Sequence, residues 1–324
     1  MENPAKVQVA VVRGANRRGA VAEALSLIAD DLAGKVTPNS VLIPDLSSGR
    51  KPGDSTQPGA ISATIDAVLA AGAETITIAA ASPRPEIRAD HWFEQLGYRQ
   101  EVWGRPVSFL DLAEEPIEEI ASRNLPHENS SRIRIPRVLL NDDCRISLAT
   151  SPKFRNAGLA NLLNILPPQE RDRLKGPASA RGGSIFARFR LLLGRPDGGN
   201  PEVLGEDLAS LLSLVRPAIS IIDGFPASKR SGPTRGRWAP PGTVIAGTDP
   251  VAVDAVAASL WGYRRTPFDL LSLAESIGLG TSDLGRIEIV GDRPLLRSRA
   301  SDHGLRMHWR SRRQWAVRSR VRSR

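Results

Sequence analysis

Residues 7–12, Val-Gln-Val-Ala-Val-Val, form the apolar run that decides the fold class. A short run of this kind, rich in β-branched residues, is typical of a strand buried on both faces. Gly14 follows it, and apolar residues then recur at helical spacing through Val21, Leu25 and Leu32. The sequence therefore predicts that the chain begins with a β-loop-α unit.

The same alternation continues along the chain. Residues 41–43 and 75–78 predict further strands, and residues 58–72 predict the helix between them. Parallel strands need long crossover connections, which are usually helices. The pattern therefore predicts an α/β fold with a mixed, largely parallel sheet and helices on both faces. This fold is built either as one large unit or as two lobes packed around a shared sheet.

The middle of the chain is less regular. Residues 133–135, 138–140 and 146–149 predict short strands, which we expect to form an antiparallel extension, and residues 167–201 predict a long loop or insertion rich in Gly, Pro and Arg. The later elements are predicted as helices at 202–215, 251–261 and 268–277, and as strands at 218–223, 243–246 and 287–290.

The net positive charge lies at the C-terminal end of the chain. Of the 44 Lys and Arg residues, 11 arginines fall within residues 293–324, where Asp302 is the only acid, so residues 1–292 are nearly neutral. We therefore expect an α/β domain at 1–292, with its insertion near 167–201, followed by an Arg-rich C-terminal tail at 293–324. This tail is either disordered and solvated or binds nucleic acid or an acidic membrane surface.

Cys144 is the only cysteine of the chain. A single thiolate excludes an internal disulfide and any iron–sulfur or zinc site built from several cysteines of this chain. The apolar run at 7–12 is too short for the core of a signal peptide or for a membrane span. These features predict a cytoplasmic protein without an iron–sulfur cluster.

Three aspartates are the candidate catalytic or metal-binding residues. Asp223 ends a predicted apolar strand, and strand ends are where open α/β sheets bind ligands. Asp249 also follows a strand, but it precedes a proline and so equally suits a helix N-cap. Asp254 interrupts an apolar helix, where a carboxylate needs a cation, an Arg or backbone donors as its partner. Together they predict either a divalent cation site, with Asp223 and Asp254 as catalytic groups, or capping and ion pairing.

Two glycine-containing segments differ in what they predict. In residues 231–236, Gly232 and Gly236 permit close backbone approach and Arg235 can neutralise an anionic ligand, although a solvated basic loop is the alternative. Residues 14–19 lack the Lys-Ser/Thr ending of phosphate-binding loops and the glycine spacing of dinucleotide sites. Only the later loop is therefore predicted to bind substrate.

Several motifs together resemble the domain of unknown function 362 family over residues 38–291. The early part of the resemblance rests on residues 41–46, 56–71 and 97–98, and the later part on Ile221-Ile-Asp-Gly224, Gly232-Pro233, Gly236, Gly247-Thr-Asp-Pro-Val-Ala-Val-Asp254, Gly262-Tyr263 and Gly278-Leu-Gly280. The resemblance implies shared polar positions at Asp223, Asp249 and Asp254, joined by Lys153 and Asn164 as substrate-binding residues.

This chain departs from the family pattern at three motifs. The family's Lys-Pro-Asn corresponds to Ile43-Pro44-Asp45, its Lys-Thr-His to residues 155–157, and its Lys-Asn to Leu163-Asn164. A histidine and lysines of the family are thus replaced. Many relatives also carry ferredoxin-like cysteine motifs, which a chain with one cysteine does not reproduce.

Two functions fit these observations. The first is an enzyme that binds an anionic small molecule, with or without a divalent cation, at the strand ends. The second is a binding or scaffold protein without catalytic activity, whose Arg-rich C-terminal tail contacts nucleic acid or an acidic membrane.

Overall fold

A computed structural model describes residues 6–46, 55–121, 132–141, 143–150, 157–175, 211–225, 242–260 and 270–292. Its main element is an eight-stranded sheet in the order β10-β1-β9-β8-β7-β2-β3-β4, in which every neighbouring pair is parallel except those of β9 with β1 and β8. The strands of this sheet are β1 (Val7–Arg13), β2 (Asn39–Pro44), β3 (Thr75–Ala80), β4 (Val107–Asp111), β7 (Cys144–Thr150), β8 (Ile219–Asp223), β9 (Thr243–Gly247) and β10 (Ile287–Gly291). The α/β class with a mixed, largely parallel sheet is thereby confirmed.

Helices cover both faces of the sheet. Along β1, Val9 and Val11 belong to one buried cluster, whereas Ala10 and Val12 belong to the other, as the pleat of a strand requires. The helices whose two ends lie within the described residues are α1 (Arg17–Ser26), α2 (Ala29–Ala33), α3 (Pro58–Ala70), α4 (Ala89–Gln95), α5 (Tyr98–Glu101), α6 (Ala157–Ala160), α7 (Pro168–Lys175), α8 (Pro250–Leu260) and α9 (Leu270–Ser276).

The middle of the chain differs from the sequence prediction. Strand β6 (Arg132–Pro136) pairs antiparallel with β5 (Ile117–Ala121) in a separate hairpin, but β7 lies inside the main sheet and is parallel to both of its neighbours. Residues 137–140 form a 3-10 helix instead of a strand. Pro136 explains the change, because a proline has no N–H to donate to a continuing ladder.

The predicted insertion at 167–201 also contains regular structure. Its first part forms α7, which begins at Pro168, a residue suited to the first turn of a helix. The rest of the insertion and the Arg-rich C-terminal tail lie outside the described residues. Within the described ranges, no helix is long and apolar enough to cross a membrane.

The order of the strands creates a topological switch point. From β2 the chain moves to β3 and β4 on one side, whereas from β7 it moves to β8 on the other. The connections also use opposite faces, since Ile61 of α3 belongs to one core cluster and Leu159 of α6 to the other. The carboxyl ends of strands at such a reversal, here β2 and β7, are where open α/β sheets bind ligands.

Candidate functional site

Polar side chains gather where the parallel strands end, a rim that we call the carboxyl edge. Asp45 directly follows β2, Thr150 is the last residue of β7, and Asp223 is the last residue of β8. All three are buried, and Thr150 and Asp223 are partners in the strand register. The edge therefore carries two neighbouring polar groups, one around Asp223 and one around Asp45.

The first group is an ion pair between Arg17 and Asp223. Arg17 is the first residue of α1, which Asn16 caps by accepting a hydrogen bond from the Gly19 N–H at 2.7 Å. The Arg17 Nε atom donates to Asp223 Oδ2 at 2.6 Å, and the guanidinium lies 5.2 Å from the centre of the Phe225 ring. The start of α1 thus brings a cation to the end of β8.

Asp223 is held on both of its oxygens. Its second oxygen, Oδ1, accepts from the Phe225 N–H at 2.9 Å, and the side chain has no exposed surface. Burial raises the pKa of the Asp223 carboxyl, while the Arg17 guanidinium and the Phe225 N–H oppose that rise. Asp223 is thus placed to hold Arg17, and its own oxygens face protein donors.

The second group surrounds Asp45 at the switch point. Asp45 Oδ1 accepts from Asn164 Nδ2 at 3.2 Å, and Oδ2 accepts from the Thr150 N–H at 3.4 Å. The Asp45 N–H donates to Thr56 Oγ1 at 2.8 Å, and this hydroxyl donates in turn to the Leu148 carbonyl at 2.9 Å. These bonds tie the ends of β2 and β7 to the segment that leads into α3.

Tyr98 fixes the same segment from the other side. Its hydroxyl donates to the Thr56 carbonyl at 2.5 Å, and its ring is fully buried. Burial, and then the nearby Asp45 carboxylate, raise the pKa of the Tyr98 hydroxyl well above its ordinary value. Tyr98 therefore acts as a neutral donor that holds Thr56 in position.

Asp254 lies inside the protein, on α8, and has no exposed surface. Its two oxygens accept from the backbone N–H groups of Gly158 and Leu159, at 3.0 and 2.8 Å, where α6 begins. Gly158 allows this approach, because a Cβ there would stand 2.4 Å from Ser220 Oγ. Burial raises the pKa of the Asp254 carboxyl to about 7, against the lowering effect of the two backbone donors.

Asp249 lies at the opposite edge of the sheet. Strand β9 is antiparallel, so the residues after it are next to the amino end of β8, where Ser220 pairs with Gly247. Asp249 caps α8 through the N–H groups of Val251 and Ala252 and also accepts from the Thr281 N–H. Burial raises the pKa of this carboxyl, although the backbone donors oppose the rise.

The structure does not bring the three predicted carboxylates into one cation site. Asp223 ends β8 at the carboxyl edge, Asp249 lies at the other edge because β9 runs antiparallel, and Asp254 faces α6 from within the core. Among the described residues, no group of three or more His, Cys, Asp or Glu side chains is placed to hold a metal ion. Of the alternatives that the sequence predicted, Asp249 is a helix N-cap, and the partners of Asp254 within the described residues are backbone N–H groups.

Of the predicted substrate-binding residues, only Asn164 lies within the described part of the chain, and it lies beside Asp45. Lys153, Gly232, Arg235 and Gly236 fall outside it. The sequence analysis missed Arg17 and Asp45 as members of the edge. A usable signal existed for Asp45, which directly follows an apolar strand as Asp223 ends one, whereas nothing near Arg17 indicates its partner 206 residues away.

Comparisons with solved structures give two distant similarities. A crystal structure of a Thermotoga maritima protein, determined as a structural genomics target, has a TM-score of 0.44 and 16% identity, covering 65% of this chain and 51% of the other. The lactate racemase apoprotein from Thermoanaerobacterium thermosaccharolyticum has a TM-score of 0.42 and 15% identity, covering 68% and 50%. The chain thus spans about half the length of each. No curated protein sequence matches it.

A family model matches residues 41–259. The match includes most of β2 with Asp45 after it, β7, Asn164, β8 with Asp223, and most of α8 with Asp254. It therefore covers both polar groups of the carboxyl edge except Arg17. Because this match spans more than half of the 324 residues, the chain belongs to the domain of unknown function 362 family.

Proposed function

We propose that this protein is an enzyme that binds an anionic small molecule at the carboxyl edge, with Arg17 as the group that binds the anion. The proposal rests on the geometry of the hydrogen bond between Arg17 and Asp223. Only Nε of the guanidinium is used by the carboxylate. The two terminal nitrogens meet no acceptor among the described residues, so they remain available as a fork for a carboxylate or phosphate.

The surroundings of Arg17 support this role. Its side chain is 20% exposed, so a ligand can reach it, while the Phe225 ring and the fully buried Asp223 limit its rotation. A guanidinium fixed in this way loses little conformational entropy when it binds an anion. Arg18, the next residue, is 56% exposed and pairs with Asp66 on the surface instead.

Catalysis, rather than binding alone, is supported by the carboxyl group beside Arg17. Asp223 is buried, burial raises its pKa, and such groups concentrate at active sites. In this proposal Asp223 orients Arg17, Asn164 contacts the ligand beside the switch point, and Lys153, Gly232, Arg235 and Gly236 are further ligand-binding residues. A cytoplasmic location is part of the same proposal and is supported by the single cysteine.

The test is a binding titration of the full-length protein with inorganic phosphate and with acetate, which probe tetrahedral and planar anions. The Arg17→Lys variant keeps a positive charge near Asp223 but lacks the fork. Because a charge-assisted hydrogen bond contributes about 1.5–3 kcal/mol, we expect this variant to bind the preferred anion at least roughly tenfold more weakly. Isothermal titration calorimetry measures the difference.

Arg18→Lys is the matched control, since it changes the neighbouring arginine in the same way. Equal affinities of the wild type and Arg17→Lys, or equal losses in both variants, would contradict the proposal by showing that the anion binds to general surface charge.

Repeating the titration with added Mg²⁺ tests the predicted divalent cation, which should tighten anion binding if it bridges the ligand and the protein. Native mass spectrometry of freshly purified protein then identifies any retained anion, and incubation with that compound tests turnover.

A second function is favoured by the charge distribution alone. The C-terminal tail at 293–324 holds 11 of the 44 basic residues, together with Trp309 and Trp315, which suits binding to nucleic acid or to an acidic membrane surface. We expect single-stranded RNA to bind the full chain, with an affinity that falls steeply as salt rises, and not to bind a chain ending at residue 292. RNA binding that persists after this truncation would assign the interaction to residues 1–292 instead. Fluorescence anisotropy at several salt concentrations makes the measurement.

A further inference from the structure

One continuous series of buried hydrogen bonds joins Asp254 to Asp45. The Leu159 N–H donates to Asp254 Oδ2, and the carbonyl of the same peptide group, that of Gly158, accepts from Ser147 Oγ at 2.9 Å. Ser147 Oγ accepts from Asn161 Nδ2 at 3.1 Å. Asn161 Oδ1 then accepts from Asn164 Nδ2 at 2.8 Å, and the same Nδ2 atom donates to Asp45.

Every bond between Asn164 and Asp254 points in the same direction. Each group in the series accepts a hydrogen bond on one side and donates one on the other, so the dipoles lie head to tail and end on the Asp254 carboxylate. Bonds in such chains polarise and strengthen one another, and the low dielectric of the interior increases the effect. All the side chains of the series are buried.

No cation competes for Asp254 within the described residues. In the described part of the chain, its partners are the N–H groups of Gly158 and Leu159. The described elements packed on α8 carry few titratable groups, and none of these groups bonds to Asp254. Strand β9 and helix α6 have none, and the others carry Arg13 at the end of β1, Asp223 at the end of β8, Glu275 on α9 and Arg286 in the 3-10 helix at 284–286. A change in the protonation of the Asp254 carboxyl therefore acts mainly on the peptide groups at the start of α6.

We infer that Asp254 is a positioning residue, which fixes the start of α6 and, through this hydrogen-bond series, sets the orientation of Asn164 and Asp45 at the switch point. This role replaces the metal-ligand and acid/base roles that the sequence predicted for it. Asp254 acts on Asn164 at the carboxyl edge from within the core, through three intervening groups: the Gly158–Leu159 peptide group, Ser147 and Asn161.

The orientation of Asn164 matters for what the edge can recognise. Both of the bonds that its Nδ2 makes are within the series, to Asp45 and to Asn161. No described residue donates to Asn164 Oδ1, so this carbonyl oxygen is the atom offered to a ligand, which must then donate a hydrogen bond. This consequence rests on the proposed function, whereas the positioning role of Asp254 does not.

The test follows the side-chain NH₂ signals of Asn161 and Asn164 by NMR in the ¹⁵N-labelled full chain, between pH 5.5 and 8.5. The inference predicts that these signals and the Gly158 and Leu159 amides shift with one shared midpoint, and that this shared shift is lost in Asp254→Asn. In Ser147→Ala, the two backbone amides should keep the shift, and the two asparagine side chains should lose it.

Ser220→Ala is the matched control. Ser220 is the register partner of Ser147 on β8 and is equally buried. Its hydroxyl has no hydrogen-bond partner among the described residues, so its removal should leave all four shifts unchanged. The serine variants decide the question even if Asp254→Asn does not fold. Asparagine signals that do not follow the midpoint of Gly158 and Leu159, or that follow it equally in Ser147→Ala, would overturn the inference. Neither result depends on a ligand, so a failed anion titration and a failed positioning role remain distinguishable.

Discussion

Replacing Arg17 by methionine should lower the free energy of unfolding by about 3–5 kcal/mol, the range typical of removing one partner from a buried ion pair. Asp223 has no exposed surface, and without the guanidinium the Phe225 N–H is its one remaining donor among the described residues. Methionine fills a similar volume over the Phe225 ring, so most of the loss should be electrostatic. Urea unfolding followed by circular dichroism measures it.

Arg18→Met provides the control for this prediction. Arg18 and Asp66 are both about half exposed, and exposed ion pairs contribute about 0–1 kcal/mol, so little loss is expected. The loss in Arg17→Met should also be smaller at pH 5 than at pH 8. Burial already raises the pKa of Asp223, and removal of the cation raises it further, so the carboxyl is neutralised by a proton at lower pH. Similar small losses in both variants would show that the Arg17–Asp223 pair is solvated.

The fold was predictable because the strands of a covered parallel sheet are apolar on both faces. The runs at 7–12, 41–43 and 219–222 carry that signal without any knowledge of their neighbours. The direction of β9 was not predictable, since an antiparallel strand buried on both faces has the same apolar pattern as a parallel one. That single reversal moves Asp249 to the other edge of the sheet and separates it from Asp223.

The sequence predicted only those buried carboxylates whose own segment has an unusual pattern. Asp223 was predicted because it ends an apolar strand, and Asp254 because it interrupts an apolar helix. Pairings across the fold have no such signal. Arg17 meets Asp223 across 206 residues, and Asn164 meets Asp45 across 119, through a strand order that periodicity does not specify.

Asp254 should make the protein less stable as the pH rises through the neutral range. Burial raises the folded pKa of this carboxyl to about 7, from an unfolded value of about 3.9. Between these two values the folded state binds one proton more than the unfolded state, so the free energy of unfolding falls with increasing pH. The stabilisation is fully present below the unfolded pKa and is lost as the pH rises through the folded one. At about 1.4 kcal/mol per pH unit, roughly 2–3 kcal/mol should be lost between pH 5 and pH 8.

Asp254→Asn isolates this contribution, because an amide does not titrate. Asp223 and Asp249 are also buried with raised pKa values and act in the same direction, so only the part of the slope that disappears in the variant belongs to Asp254. Urea unfolding at several pH values gives the slope for both proteins. An identical slope would mean that the two backbone donors outweigh burial and keep the carboxyl ionised in the core.

In the wild type, the midpoint of the Asp254 ¹³Cγ shift distinguishes the same two cases directly, because an ordinary carboxyl titrates near pH 4 and this one should titrate near 7. A midpoint near 7 would make the start of α6, and the hydrogen-bond series that begins there, sensitive to pH under physiological conditions.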